Sequence, residues 1–210
     1  MKAITKLLVL FTITISIAAC KDTETELPYL GNPTFVNGKE SKYQVPAWKF
    51  LNQDSITVSS ADLSDNVYVV DFFFTSCPSI CPKVKREMFK IYDEFKNDNR
   101  VKLVSFTIDP KHDTPSRLKK YSQKLGVNND KWWFLTGDSD ETFALADDYF
   151  ITAYADPEAP GGFDHSGQIL LIDKSSHIRS YSLGTDPEST PKFIKDIKNL
   201  LHTEWNDTKE

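Results

Sequence analysis

The stretch that most constrains this chain is an apolar run, Val67 to Phe74, broken only by Asp71 and followed closely by Cys77-Pro78-Ser79-Ile80-Cys81-Pro82. Its length and its β-branched and aromatic content predict a strand buried on both faces. Thr75 and Ser76 turn the chain, and the residues from Cys77 onward lead into a helical pattern. Two of the chain's 3 cysteines are thus placed where a buried strand hands over to a helix. The free amides and positive dipole end of a helix start favour thiolate over thiol. Set on a helix, a spacing of four brings both side chains to nearly one face, one turn apart. Such a pair is either a redox couple or two soft metal ligands, and the C-x₃-C spacing alone does not choose.

The flanking pattern supplies the rest of a fold. Val84, Met88, Ile91 and Phe95 recur at spacings of four, three and four, the apolar stripe of one helix face. Val101 to Ile108 is a second strong strand. Thr114-Pro115 then offers an N-cap and a first-turn proline for a helix faced by Leu118, Tyr121 and Leu125 and stopped by Gly126. Trp132 to Leu135 reads as a third strand, and Asp138 with Glu141 as a capping box for a helix through Tyr149. Ile151 to Ala155 is a short extension, and a Pro/Gly/acid loop, Asp156 to Asp164, precedes a strand from Gln168 to Ile172. A turn at Asp173 to Ser176 makes a hairpin with His177 to Leu183, and Thr190-Pro191 caps a final helix. Ahead of all this, Pro46 to Phe50 and Ser55 to Val58 read as two short strands turning at Asn52 to Asp54. An α/β chain in this order predicts a central mixed sheet flanked by helices, with an N-terminal β-hairpin extension.

With 210 residues, 40% of them hydrophobic, the chain can bury one sizeable core. A net charge of −5 and scattered Lys and Arg argue against a nucleic-acid surface. The first residues have another purpose. Lys2 and Lys6 precede an apolar stretch, Leu7 to Ile17, and Ile17-Ala18-Ala19-Cys20 resembles a bacterial lipobox with Cys20 as the lipidated residue. Removal of residues 1–19 would lower the net charge by two, to −7. The expected organisation is a lipoprotein signal peptide over 1–19, a flexible polar tether over 20–43, one domain over 44–204 and a tail over 205–210. No segment after the signal reaches the about 20 apolar residues of a membrane span. These features place the chain in the bacterial cell envelope, lipid-anchored and facing the periplasm or exterior.

Cysteines at the start of the first long helix, within this order of elements, resemble the thioredoxin-like fold. In that fold the loop entering the fourth main strand packs against the dithiol. Thioredoxin-like oxidoreductases carry a cis-proline there. Here Asp164-His165-Ser166 stands in its place, so an imidazole would join two sulfurs. Two thiolates and one imidazole suit copper, Cu(I) in particular, whereas structural zinc would want a fourth protein ligand.

Taken together, Phe74-Thr75-Ser76-Cys77-Pro78-Ser79-Ile80-Cys81-Pro82, Thr107-Ile108-Asp109-Pro110-Lys111-His112-Asp113-Thr114-Pro115, Phe134-Leu135-Thr136-Gly137 and Asp164-His165-Ser166 resemble the Sco/SenC family of copper chaperones. The resemblance spans about Pro46 to Leu201. It implies that Cys77, Cys81 and His165 bind one copper ion, as Cu(I) or Cu(II). It also implies delivery to the copper-binding subunit of cytochrome c oxidase or exchange with another copper chaperone, or else reduction of that subunit's cysteines. A thiol–disulfide oxidoreductase using Cys77 and Cys81 is the alternative. The loop from Tyr154 to Phe163 departs from the family pattern in being Pro/Gly-rich. His112, His177 and His202 read as surface residues. Asp71 fits either a buried acid near the dithiol or a sheet edge.

Overall fold

The computed structural model describes residues 26–206; the signal segment, Cys20 and residues 207–210 lie outside the described residues. At its centre β5 (Val67–Phe73) runs parallel to β6 (Val101–Thr107), and β6 parallel to β7 (Trp132–Thr136). Two antiparallel hairpins complete a seven-stranded mixed sheet. One is β3 (Lys49–Asn52) with β4 (Thr57–Ser59), which joins beside β7. The other is β10 (Gln168–Ile172) with β11 (Ile178–Leu183), which joins beside β5. The expected N-terminal hairpin therefore extends the main sheet.

All seven residues of β5 are buried, as a strand covered on both faces requires. Side chains alternate along it. Asp71 meets Lys85 of α1 (Cys81–Phe95), and Phe73 meets Tyr121 of α2 (Pro115–Leu125). On the opposite face Phe72 stacks on Phe106 with ring centroids 5.2 Å apart and meets Tyr149 at the end of α3 (Ser139–Asp148). The final helix, α4 (Ser189–Asn206), lies beside α1 through Thr190–Glu87 and Lys198–Glu94 contacts. The helical stripe behaves as its spacing predicts: Val84, Met88, Ile91 and Phe95 are all buried. The α2 cap forms as read, with Thr114 accepting from the Arg117 amide, whereas at α3 Asp138 caps the amides of Asp140 and Glu141 without the reciprocal Glu141 bond of the expected capping box.

Three local expectations are corrected. Thr190 does not cap α4, which begins at Ser189; its hydroxyl donates instead to the buried Glu87 carboxylate at 2.6 Å. Trp205 and Asn206, read as the start of the tail, still belong to α4. Within the polar stretch read as tether, residues 26–43 carry a small hairpin, β1 (Thr34–Val36) with β2 (Lys39–Ser41), and dock on the domain. The cause is a row of long-range bonds. Arg179, buried at 3%, donates to the carbonyls of Leu27 and Pro28, Leu30 bridges Ile178, and the Tyr43 hydroxyl donates to Asp148.

Candidate metal centre

Cys77 is not on the helix. It sits in the turn after β5, its amide donating to the Phe74 carbonyl at 3.3 Å, and α1 begins only at Cys81. Pro82 sits in the first turn of α1, where its missing amide is not needed, so the helix starts at Cys81 and Cys77 stays in the preceding turn. A bend through Pro78, Ser79 and Ile80 therefore brings the two sulfurs together, where the spacing suggested one helical turn.

His165 comes from the far side of the chain. It ends a strand that the composition of its loop concealed: β9 (Phe163–His165) pairs antiparallel with β8 (Ala153–Ala155), and His165 lies opposite Ala153. The Ser166 amide donates to the Thr152 carbonyl at 3.0 Å and closes that small sheet. His165 Nε2 then lies 3.2 Å from Cys81 Sγ and 4.0 Å from Cys77 Sγ. All three ligand atoms fall within 4.8 Å of one another, and among the described residues no further Cys, His, Asp or Glu joins them. As the sequence suggested, no proline stands at this point, and no cis peptide bond occurs among the described residues.

Burial shapes the electronic state of this cluster. It pushes the imidazole of His165 below its ordinary value despite Asp71 and Asp164, so the ring is neutral at pH 7 with a lone pair to offer. Burial also pushes Cys81 far up and holds its proton. At Cys77 burial raises too, but hydrogen bonds from Cys81 and Ser79 outweigh it and leave that thiol lowered. Nδ1 of His165 is buried without a hydrogen-bond partner. Asp164 does not serve it, because that carboxylate turns outward to accept from the Tyr154 hydroxyl at 3.0 Å. An imidazole with Nδ1 free of any hydrogen bond and Nε2 aimed at two sulfurs fits a soft cation shared among all three.

Around the cluster lie groups of different fates. Phe74 is buried and meets His165 edge-on at 5.8 Å between ring centroids. Asp71 is resolved as a fully buried acid, paired with Lys85 one turn along from Cys81. Lys85 carried no sequence signal, since it sits off the apolar stripe among several lysines. Asp113, read only as part of a turn and cap, is fully buried and accepts from the Thr75 amide, Thr75 Oγ1 and Thr107 Oγ1. It ties the turn before Cys77 to the end of β6. His112 is exposed as expected and pairs with Asp109, and His202 is exposed too. His177 is instead half-buried against Tyr29 and Asp173, because the docked N-terminal segment covers it.

A dithiol at a strand-to-helix corner, faced by a histidine from the strand entrance on a seven-stranded mixed sheet, defines a thioredoxin-like protein with a thiol–imidazole cluster. A sequence model described as SCO1/SenC matches residues 37–202, and the chain belongs to that family. It is 32% identical over 161 residues to the "SCO1 protein homolog" of Bacillus subtilis, covering 75% of this chain and 82% of that protein. It is 27% identical over 141 residues to a "putative copper-binding protein" of Stutzerimonas stutzeri, covering 65% and 68%. Its fold matches BsSco, described through a disulfide switch and as a member of the Sco family of cytochrome c oxidase assembly proteins. That match has a TM-score of 0.68 at 28% identity, covering 84% of this chain and 98% of that one.

Proposed function

We propose that this protein is a copper metallochaperone that loads one copper ion between Cys77, Cys81 and His165 and passes it on. The observation that carries the reading is the convergence of two sulfurs and one neutral imidazole nitrogen within 4.8 Å. Two soft donors and one borderline donor suit Cu(I), whose low coordination number needs no fourth ligand. The copper-binding description of one relative supports the same metal. The ion is cargo. Its recipient is the copper-binding subunit of cytochrome c oxidase, or another copper chaperone, in keeping with the assembly role described for BsSco. Lipidation at Cys20 anchors the chain to a membrane of the cell envelope, with the domain facing the periplasm or exterior. The full chain, purified in detergent, is expected to bind one copper with two sulfurs and one nitrogen by X-ray absorption. His165→Ala and Cys77→Ala each abolish tight binding. An unchanged affinity in His165→Ala would show that the site lies elsewhere.

A second reading uses the same sulfurs. The lowered Cys77 beside the raised Cys81 is the asymmetry of an attacking and a resolving thiol. Attack by the Cys77 thiolate on a partner disulfide, then by Cys81 on the mixed disulfide, leaves this chain oxidised. The partner gains two electrons and two protons as two thiols. Copper-independent turnover in His165→Ala favours this reading, and turnover lost with copper removal favours the first.

A further inference from the structure

Beside the dithiol the surface opens into a cleft of about 600 Å³ between α1 and α2, with Cys77 and Cys81 at one end and Phe89, Tyr121 and Leu125 along its walls. A volume of that order accepts one large side chain with its flanking backbone. Phe89 is 40% exposed there, an apolar ring at the mouth rather than in the core.

The charges around the cleft are of one sign. Lys85, Arg86, Lys90 and Lys124 line it, and no carboxylate does, on a chain whose net charge is −5. Two of these cations are already neutralised within the protein. Lys85 turns inward to Asp71, and Lys90 lies 2.9 Å from Glu87. Arg86 and Lys124 are exposed and make no hydrogen bond or ion pair among the described residues. They stand on the two helices that form the cleft, Arg86 on α1 and Lys124 on α2. An acidic protein that keeps two unpaired cations flanking an apolar cleft has a complementary surface for carboxylates on either side of an apolar anchor.

We propose that this cleft docks an acidic segment of the copper-accepting protein, one large apolar side chain seated against Phe89, Tyr121 and Leu125 and its flanking carboxylates paired with Arg86 and Lys124. The proposal rests on the chaperone reading for the identity of the partner. Its geometry adds that a segment so seated places its neighbouring residues next to Cys77 and Cys81, where an ion changes hands. A bilayer surface is the poorer occupant, because a plane cannot fill a concave cleft and would cover the dithiol.

The test uses the full chain in detergent and a fluorescent synthetic peptide with one phenylalanine between pairs of glutamates. Anisotropy gives affinity for the parent and for the double variant Arg86→Glu/Lys124→Glu. A control double variant on remote exposed lysines, Lys49→Glu/Lys195→Glu, changes net charge equally. The expected result is at least tenfold weaker binding in the first variant, little change in the control, and binding of a lysine-flanked peptide only by the first variant. Replacing the phenylalanine by alanine weakens binding to the parent at least tenfold. Equal loss in both double variants, or none in the first, overturns the proposal. So does a charge-reversal effect confined to phosphatidylglycerol vesicles. Copper stoichiometry is read on the same samples: neither double variant touches a ligand, so each loads copper as the parent does. A parent that binds the peptide but no copper overturns the chaperone reading and leaves the docking surface standing.

Discussion

Lys85 Nζ lies 2.9 Å from Asp71 Oδ2, with side-chain exposures of 7% and 0%, directly under the dithiol corner. The ammonium also donates to Ser105 at 3.3 Å and stands 4.2 Å over the Phe73 ring, and Ser105 in turn donates to Asp71. The pair satisfies itself, and the Asp71 carboxylate is cut off from water.

Removing one member strands the other. Lys85→Met is expected to destabilise the fold by about 3–5 kcal/mol, the cost of an unpaired buried carboxylate. Lys85→Met with Asp71→Leu should recover most of that loss, since an apolar pair of similar volume needs no solvation. Urea unfolding of parent, single and double variants makes the comparison. If the double variant is as unstable as the single, packing rather than charge accounts for the loss.

Asp113 acts on the other side of the corner. Its carboxylate accepts from the Thr75 amide at 2.8 Å and from Thr107 at 2.7 Å, and Arg117 approaches at 3.3 Å. Hydrogen bonds to a charged group contribute about 1.5–3 kcal/mol each and are not additive, so Asp113→Ala should cost about 2–4 kcal/mol. Because Thr75 leads into Cys77, the same change should also weaken copper retention against a chelator. A stability loss with unchanged retention would mean that Thr75 does not position the sulfur.

Much of this architecture is legible because the pattern is local. The apolar run at Val67, the stripe from Val84 to Phe95 and the caps at Thr114 and Asp138 each show their structure within a dozen residues. The convergence of Cys77, Cys81 and His165 was legible for a different reason: few residue types ligate soft metals, and the thioredoxin-like resemblance set His165 in the loop that packs against the dithiol. What escaped was set by contacts distant in sequence. The Asp71–Lys85 pair joins a strand to a helix off its apolar stripe. The docking of residues 26–43 depends on Arg179, whose guanidinium lies beneath them. The pairing of β8 with β9 hides in a loop whose prolines, glycines and acids argue against any strand.

Lys131 gives a pH dependence of known sign. Burial lowers it from 10.5 to about 8, and its ammonium donates to the carbonyls of Asp98 and Val101. Between those values the unfolded chain holds a proton that the folded chain has released, so stability rises with pH there. Below about pH 8 both states are protonated and the burial cost is paid in full. Urea midpoints of the parent relative to Lys131→Met should therefore rise from pH 7.5 to pH 9.5. A constant difference would place the Lys131 value near its unfolded one.

Two adjacent glycines separate backbone strain from damage to the thiol–imidazole cluster. Gly161 and Gly162 both lie in the left-handed region, at φ +87° and +85°. A side chain there costs about 1–2 kcal/mol by backbone conformation alone. At Gly162 an added Cβ meets nothing within 4 Å, so Gly162→Ala should cost that amount and leave copper affinity unchanged. At Gly161 the Cβ would fall 2.8 Å from Phe74 Cε2 and 3.2 Å from Pro78 Cδ. Phe74 packs edge-on against His165, and Pro78 follows Cys77, so the clash reaches a neighbour of each end of the Cys77–Cys81–His165 cluster. Gly161→Ala is expected to lose more stability than its neighbour and to weaken copper binding at least tenfold in chelator competition. Equal copper affinities in the two variants would show that the ring of Phe74 yields without carrying His165 with it.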